Sequence, residues 1–163
     1  EGLEDDMLLI SGGISVGDYD FVNAALQANG VQEIFYKVNQ KPGKPLWFGK
    51  TEKTLVFALP GNPASSLTCF LIYAFSALKI MSGNPDIALN FQTGILKHRT
   101  FNKFGKTLFI LGTEKNGELE IYPKQASSML ISYALGNALV MIPEQREELE
   151  AGESVQFLPI NRN

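Results

Sequence analysis

Three short stretches of this chain pair glycine with groups that handle anions. The first, Ser11-Gly12-Gly13-Ile14-Ser15-Val16-Gly17-Asp18-Tyr19-Asp20, follows the apolar run Met7-Leu8-Leu9-Ile10. The second, Pro60-Gly61-Asn62-Pro63-Ala64-Ser65-Ser66, follows Leu55-Val56-Phe57-Ala58-Leu59. Between them lies Lys41-Pro42-Gly43-Lys44-Pro45. Gly12 and Gly13 allow a sharp turn that brings backbone N–H groups close to a ligand, and Ser11 and Ser15 add hydroxyl donors. Asp18 and Asp20 supply carboxylates suited to holding Mg²⁺ against a phosphate or oxyanion. The same residues also fit a plain strand-to-helix turn with Asp20 as a helix cap. Their glycine spacing matches neither the dinucleotide fingerprint nor the nucleotide phosphate loop.

Lys41 and Lys44 flank Pro42-Gly43, so a stiff turn presents two ammonium groups close together. That repulsion favours an anion nearby, although a solvated basic loop is the bland alternative. Residues 60–66 place a helix N-terminus, the exposed backbone of Gly61 and the hydroxyls of Ser65 and Ser66 at one point. The helix dipole and unpaired N–H groups make such a point an anion site, or simply a helix start capped by Asn62 with Pro63 in its first turn. Ser127 and Ser128 could reach a ligand, or Ser128 could cap a short helix over 128–135. His98 is the sole histidine and has neither cysteine nor a second histidine beside it, so it is not expected to bind metal or catalyse. Cys69 is the sole cysteine, which excludes an internal disulfide, and its apolar setting suits a small core residue.

The elements that must carry these loops follow from the residue pattern. Continuous apolar residues at 7–10 predict a strand buried on both faces. A helix is expected over 20–28, then strands at 34–38, 46–49 and 55–59. The helix opened at Asn62 runs to about 81 with Lys79 as its only charge, so it must be covered on most sides. Its apolar stretch, 67–80, is interrupted by Thr68, Ser76 and Lys79 and reads as too short to span a bilayer. Residues 83–90 form a linker-like break. Beyond it, segments at 91–97, 107–111, 119–122, 138–142 and 154–158 predict a small β-barrel or sandwich, with Asn116-Gly117 as a hairpin turn. The charge-rich stretch 144–150 reads as a solvated turn.

The 163 residues are 45% hydrophobic and 19% charged, ordinary for a globular chain. A net charge of -3 and a pI near 5.2 argue against general nucleic-acid binding. The start, Glu1-Gly2-Leu3-Glu4-Asp5-Asp6, is acidic and lacks an initiator methionine. It reads as a piece of a longer protein, cytoplasmic by default.

Taken together, residues 11–20, 41–45 and 59–65 resemble the MoeA / gephyrin E-domain family, the molybdopterin molybdenumtransferases, and the tail from Phe91 resembles that family's C-terminal β-barrel domain. The resemblance implies an α/β fold: part of a MogA-like, three-layer pterin-binding domain over 1–85, followed by a small barrel over 86–163. It implies insertion of molybdate into adenylylated molybdopterin with release of AMP, assisted by Mg²⁺, in a full-length homodimer of which this piece by itself is expected to be inactive. The acidic charge and the interrupted apolar stretch argue against nucleic-acid and membrane partners. By the same resemblance, Asp20, Lys41 and Lys44 lie at the reacting group, and Asp18 or Asp20 meets the Mg²⁺. Ser11, Gly12, Gly13, Ser15, Gly17, Pro60, Gly61, Asn62, Pro63, Ser65 and Ser127 hold the substrate. The family's Pro-Gly-Arg in the first turn of the barrel is Phe104-Gly105-Lys106 here, and Leu111 stands at the second arginine position. A non-catalytic alternative is a pterin-fold scaffold that binds a protein partner.

Overall fold

The computed structural model describes residues 2–14, 21–83, 89–122 and 135–160. Its first half runs β1 (Met7–Ser11), α1 (Phe21–Ala28), β2 (Gln32–Tyr36), β3 (Gln40–Lys41), β4 (Trp47–Lys50), β5 (Leu55–Leu59) and α2 (Pro63–Met81). The second half is β6 (Gln92–Leu96), β7 (Thr100–Phe101), β8 (Thr107–Lys115), β9 (Glu118–Ile121), β10 (Ala138–Ile142), β11 (Glu148–Leu149) and β12 (Ser154–Pro159).

Four strands form the first sheet in the order β1-β5-β4-β2. β1 and β5 are parallel, whereas β4 is antiparallel to both β5 and β2. One face of this sheet packs on α1, burying Leu26, Ile14, Val31, Trp47, Val56 and Ala58 together. The other packs on α2 through Phe57, Leu59, Cys69 and Ala74. β1 is less buried than its apolar run predicts: Leu9 is 42% exposed. In the described residues β1 pairs with β5 alone, so its side chains have neighbours on one flank only. β2 ends two residues before the predicted limit because Lys37 turns to a φ of 69° and leaves the ladder.

The second sheet closes on itself. Its order is β10-β12-β6-β9-β8, and β8 pairs back onto β10, giving a five-stranded barrel filled by Leu96, Leu108, Leu119, Val140, Ile142 and Phe157. Closure removes the sheet edges that a flat arrangement of the same strands would leave unpaired. β8 is longer than the sequence pattern suggests and serves three neighbours in succession: β3 at Thr107 and Leu108, β10 over 108–112 and β9 over 112–115. Asn116-Gly117 forms the β8–β9 turn, with Lys115 opposite Glu118. The stretch expected to be a solvated turn contains β11, which pairs with β7. The helix expected over 128–135 lies outside the described residues apart from Leu135.

α2 joins the two halves. It is π-helical over Phe70–Ala74, and there Ile72 and Tyr73 meet Phe109, Leu111 and Leu139 of the barrel. Contrary to the expectation from its interrupted apolar stretch, the whole helix has 19 residues and passes for a membrane span by length and composition. Its first half, however, is a core element, with Ala64, Ser65, Thr68, Cys69, Ile72 and Ala74 buried. Phe75, Leu78, Ile80 and Met81 at its far end are 37–48% exposed.

Candidate functional site: an anion crevice built from three loops

Parallel pairing puts the carboxyl ends of β1 and β5 side by side, with Ser11 opposite Leu59. In open α/β sheets ligands bind just beyond such ends. The Gly12 N–H donates to the Leu59 carbonyl at 3.1 Å, and the chain then turns away through φ values of 89° at Gly12 and 71° at Gly13. Residues with a Cβ rarely adopt these values. The second loop leaves β5 directly alongside. A methyl group on Gly61 would lie 3.4 Å from the Gly12 Cα, and Ser11 Oγ is 3.5 Å from Ser66 Oγ. The two glycine loops therefore touch backbone to backbone.

Each loop is anchored on its buried side. Ile14 is 2% exposed and ties the first loop into the α1 core. The orientation of α1 is fixed in turn by the buried Trp47, whose Nε1–H is shared between Asn23 Oδ1 at 3.1 Å and Glu33 Oε2 at 2.8 Å. In the second loop, Pro60 is buried and Gly61 exposed. Asn62 caps α2: its Oδ1 accepts from the Ser65 N–H at 3.2 Å and lies 3.3 Å from Ser65 Oγ. Pro63 occupies the first helical turn, where its missing N–H costs no helical hydrogen bond. Asn62 and Ser65 thus build the helix end on which the anion-attracting dipole rests.

The lysine loop docks on the same helix. Gly43, at a φ of 90°, sits so close to α2 that a methyl group there would fall 2.4 Å from Cys69 Sγ and 3.4 Å from the Ser65 carbonyl oxygen. The Cys69 thiol donates to the Gly43 carbonyl at 3.4 Å. Gln40, 3% exposed, donates from Nε2 to the Pro42 carbonyl at 2.9 Å and accepts at Oε1 from Tyr73 Oη at 2.6 Å. Burial pushes the Cys69 thiol up to about 12, so it stays protonated and serves as a donor rather than a nucleophile. Burial, then the neighbouring Cys69, raises the Tyr73 phenol to about 12 as well. Lys41 and Lys44 remain exposed at the surface of this loop. The Lys41 ammonium lies 3.3 Å from the centroid of the Phe104 ring, which comes from the barrel.

The structure thus brings Ser11, Gly12, Gly13, Pro60, Gly61, Asn62, Pro63 and Ser65 to one end of the sheet, with the turn bearing Lys41 and Lys44 packed against the first turns of α2. Ser15, Gly17, Asp18, Asp20 and Ser127 lie outside the described residues. Among the described residues no three His, Cys, Asp or Glu side chains gather to hold a metal. His98 is exposed. A groove of about 450 Å³ on the barrel, lined by Lys97, Thr113, Lys115, Asn116, Glu118 and Glu120, contains none of the loop residues. Sequence reasoning missed Gln40 and Tyr73, whose only signal was that Cys69 and Tyr73 stand four residues apart on one helical face. It noted Phe104 only as a departure from the family's Pro-Gly-Arg, without giving it a role.

Residues 1–80 match the family described as probable molybdopterin binding domain, and residues 93–160 match the MoeA C-terminal region (domain IV). The chain belongs to the MoeA / gephyrin E-domain family. It is 30% identical over 162 residues to a molybdopterin molybdenumtransferase of Haemophilus influenzae, covering 96% of this chain and 40% of that protein. It is 30% identical to gephyrin of Dictyostelium discoideum, over 96% of this chain and 26% of that protein. Among solved structures, the molybdopterin biosynthesis MoeA protein of Pyrococcus horikoshii superposes with a TM-score of 0.76 at 25% identity, covering 96% of this chain and 38% of that one. The chain therefore spans two fifths or less of the length of these relatives.

Proposed function

We propose that this chain is the substrate-binding portion of a molybdopterin molybdenumtransferase, which inserts molybdate into adenylylated molybdopterin and releases AMP. The contact between Gly12 and Gly61 at the ends of two parallel strands carries the reading. It sets two backbone-rich loops and one helix N-terminus around a single point, as a pyrophosphate-linked substrate requires. The Lys41 and Lys44 ammonium groups offset the charge of molybdate and of the departing AMP phosphate. Asp18 and Asp20 are the proposed carboxylates for Mg²⁺. The rate enhancement would come from holding the dithiolene and the oxyanion together amid fixed positive potential. Two segments, 1–85 and 86–163, are the proposed domains. The full-length protein is proposed to act as a cytoplasmic homodimer without nucleic-acid or membrane partners; the net charge of -3 of this chain supports the absence of a nucleic-acid partner.

Titration of molybdate and adenylylated molybdopterin into the full-length protein tests this reading. Lys41→Met and Lys44→Met should each weaken binding at least tenfold while the melting temperature holds. Unchanged affinity in both variants would sink the proposal. A second reading, a scaffold that binds a protein partner, is favoured by the exposed end of α2 at Phe75, Leu78, Ile80 and Met81. Peptide capture that Leu78→Asp abolishes, with no affinity for the pterin nucleotide, would replace the first reading by the second.

A further inference from the structure

We infer that Phe104 is a positioning residue for the anion crevice: its ring holds the Lys41 ammonium in place, so the barrel sets a cation of the α/β half. The inference rests on the proposed function. The turn that bears Phe104 is a built feature. Asn102, 1% exposed, donates from Nδ2 to the carbonyls of Lys106 at 2.8 Å and Pro143 at 3.1 Å. Its Oδ1 accepts from the Phe104 N–H at 3.2 Å, and its own N–H donates to the Glu147 carbonyl at 2.8 Å. A buried amide that satisfies both of its ends inside a five-residue turn fixes where that turn points.

The turn is also clamped to the lysine loop. β3 pairs in parallel with the start of β8, placing Lys41 opposite Leu108. The Thr107 N–H donates to the Asn39 carbonyl at 3.1 Å. Asn39 Nδ2 donates to Glu144 Oε2 at 2.5 Å and lies 3.4 Å from the Gly105 carbonyl oxygen. These contacts set the backbones, and the Lys41 ammonium lies 3.3 Å from the ring centroid. Phe104 is 52% exposed and Lys41 is exposed beside it, so the pair stays open to an anion from solvent.

A free lysine has four flexible torsions, and fixing them on binding an anion opposes affinity. An aromatic face under the ammonium removes part of that penalty beforehand and leaves N–H donors free on the far side. The attraction is electrostatic, so the effect follows the strength of the ring's π-face rather than its bulk.

The test uses the full-length protein with molybdate as probe. Reductive ¹³C-dimethylation of lysines gives a methyl signal for Lys41, assigned by its loss in Lys41→Arg. The signal should be ring-current shifted upfield, and Phe104→Leu should abolish that shift. Phe104→Leu should weaken molybdate affinity about threefold to tenfold at an unchanged melting temperature. Phe104→Trp should restore the affinity, and in a Lys41→Met background Phe104→Leu should add nothing. An unshifted Lys41 signal, unchanged affinity in Phe104→Leu, or an equal loss in the Lys41→Met background each overturns the inference. Wild-type protein that binds no molybdate overturns the proposed function as well. Binding that is lost in Lys41→Met but untouched in Phe104→Leu overturns this inference alone.

Discussion

Gly43→Ala tests the claim that the lysine loop is held by close approach to α2. A methyl group at position 43 would sit 2.4 Å from Cys69 Sγ and 2.9 Å from Gln40 Nε2, and the backbone φ of 90° is itself strained for alanine. The strain costs about 1–3 kcal/mol, and the overlap with sulfur adds about 1–3 kcal/mol. A loss of about 3 kcal/mol is expected for docking of the loop. The Val38 N–H, bonded to the Lys44 carbonyl at 3.0 Å, and the Lys37 N–H, bonded to the Leu46 carbonyl at 2.8 Å, report that docking directly. Native-state hydrogen exchange at both amides should accelerate about a hundredfold, since about 1.4 kcal/mol is a factor of ten. Cys69→Ala removes the sulfur but not the φ strain. In that background the Gly43→Ala penalty should therefore shrink by about 1–3 kcal/mol, the overlap part alone. Wild-type exchange rates in Gly43→Ala would refute the close-approach argument. An equal penalty in both backgrounds would show that sulfur is not the obstacle.

Further outcomes follow from the same helix. Asn62→Ala should cost about 1 kcal/mol through loss of the cap on the Ser65 N–H, read as a lower melting temperature. Asn62→Asp keeps the cap but brings negative charge to the anion site, so stability should hold while molybdate affinity falls; a parallel loss of both would refute the division. The Cys69 thiol, raised to about 12 by burial, should resist alkylation at pH 8 in the native protein and react at once in guanidinium. Because the unfolded thiol ionises near 9.0 and the folded one near 12, its contribution is level below pH 9. Between pH 9 and 12 stability should fall by about 1.4 kcal/mol per pH unit. Comparison with Cys69→Ala isolates that slope, and equal slopes in the two proteins would exclude the buried thiol as its source.

Features governed by neighbouring residues were legible in the sequence. The glycines that turn the chain after β1, the Asn62–Pro63 helix start, and the Asn116-Gly117 hairpin each follow from backbone preferences that act over two to four residues. The near absence of charge in α2 predicted cover on most sides; its first half meets the sheet and the barrel, whereas Phe75, Leu78, Ile80 and Met81 stay 37–48% exposed. Residue pattern predicted full burial for β1, and this failed because a strand's burial depends on how many neighbours it has, which its own residues do not encode.

Only tertiary structure could bring the loops together. Ser11 and Ser66 are 55 positions apart, and Asn39 lies 66 positions from Gly105. Strand pairing and helix docking close those distances, and no local rule reports them. The sequence by itself determined where three glycine-bearing loops fall and that the chain holds two kinds of sheet. The fold decided that Gly12 rests on Gly61, that a buried glutamine, cysteine and tyrosine hold the lysine turn against α2, and that the barrel supplies an aromatic face to Lys41. The division is physical. Turn and cap energies belong to a few consecutive residues, whereas a site assembled across strands exists only once long-range packing has met the entropy cost of closing the chain.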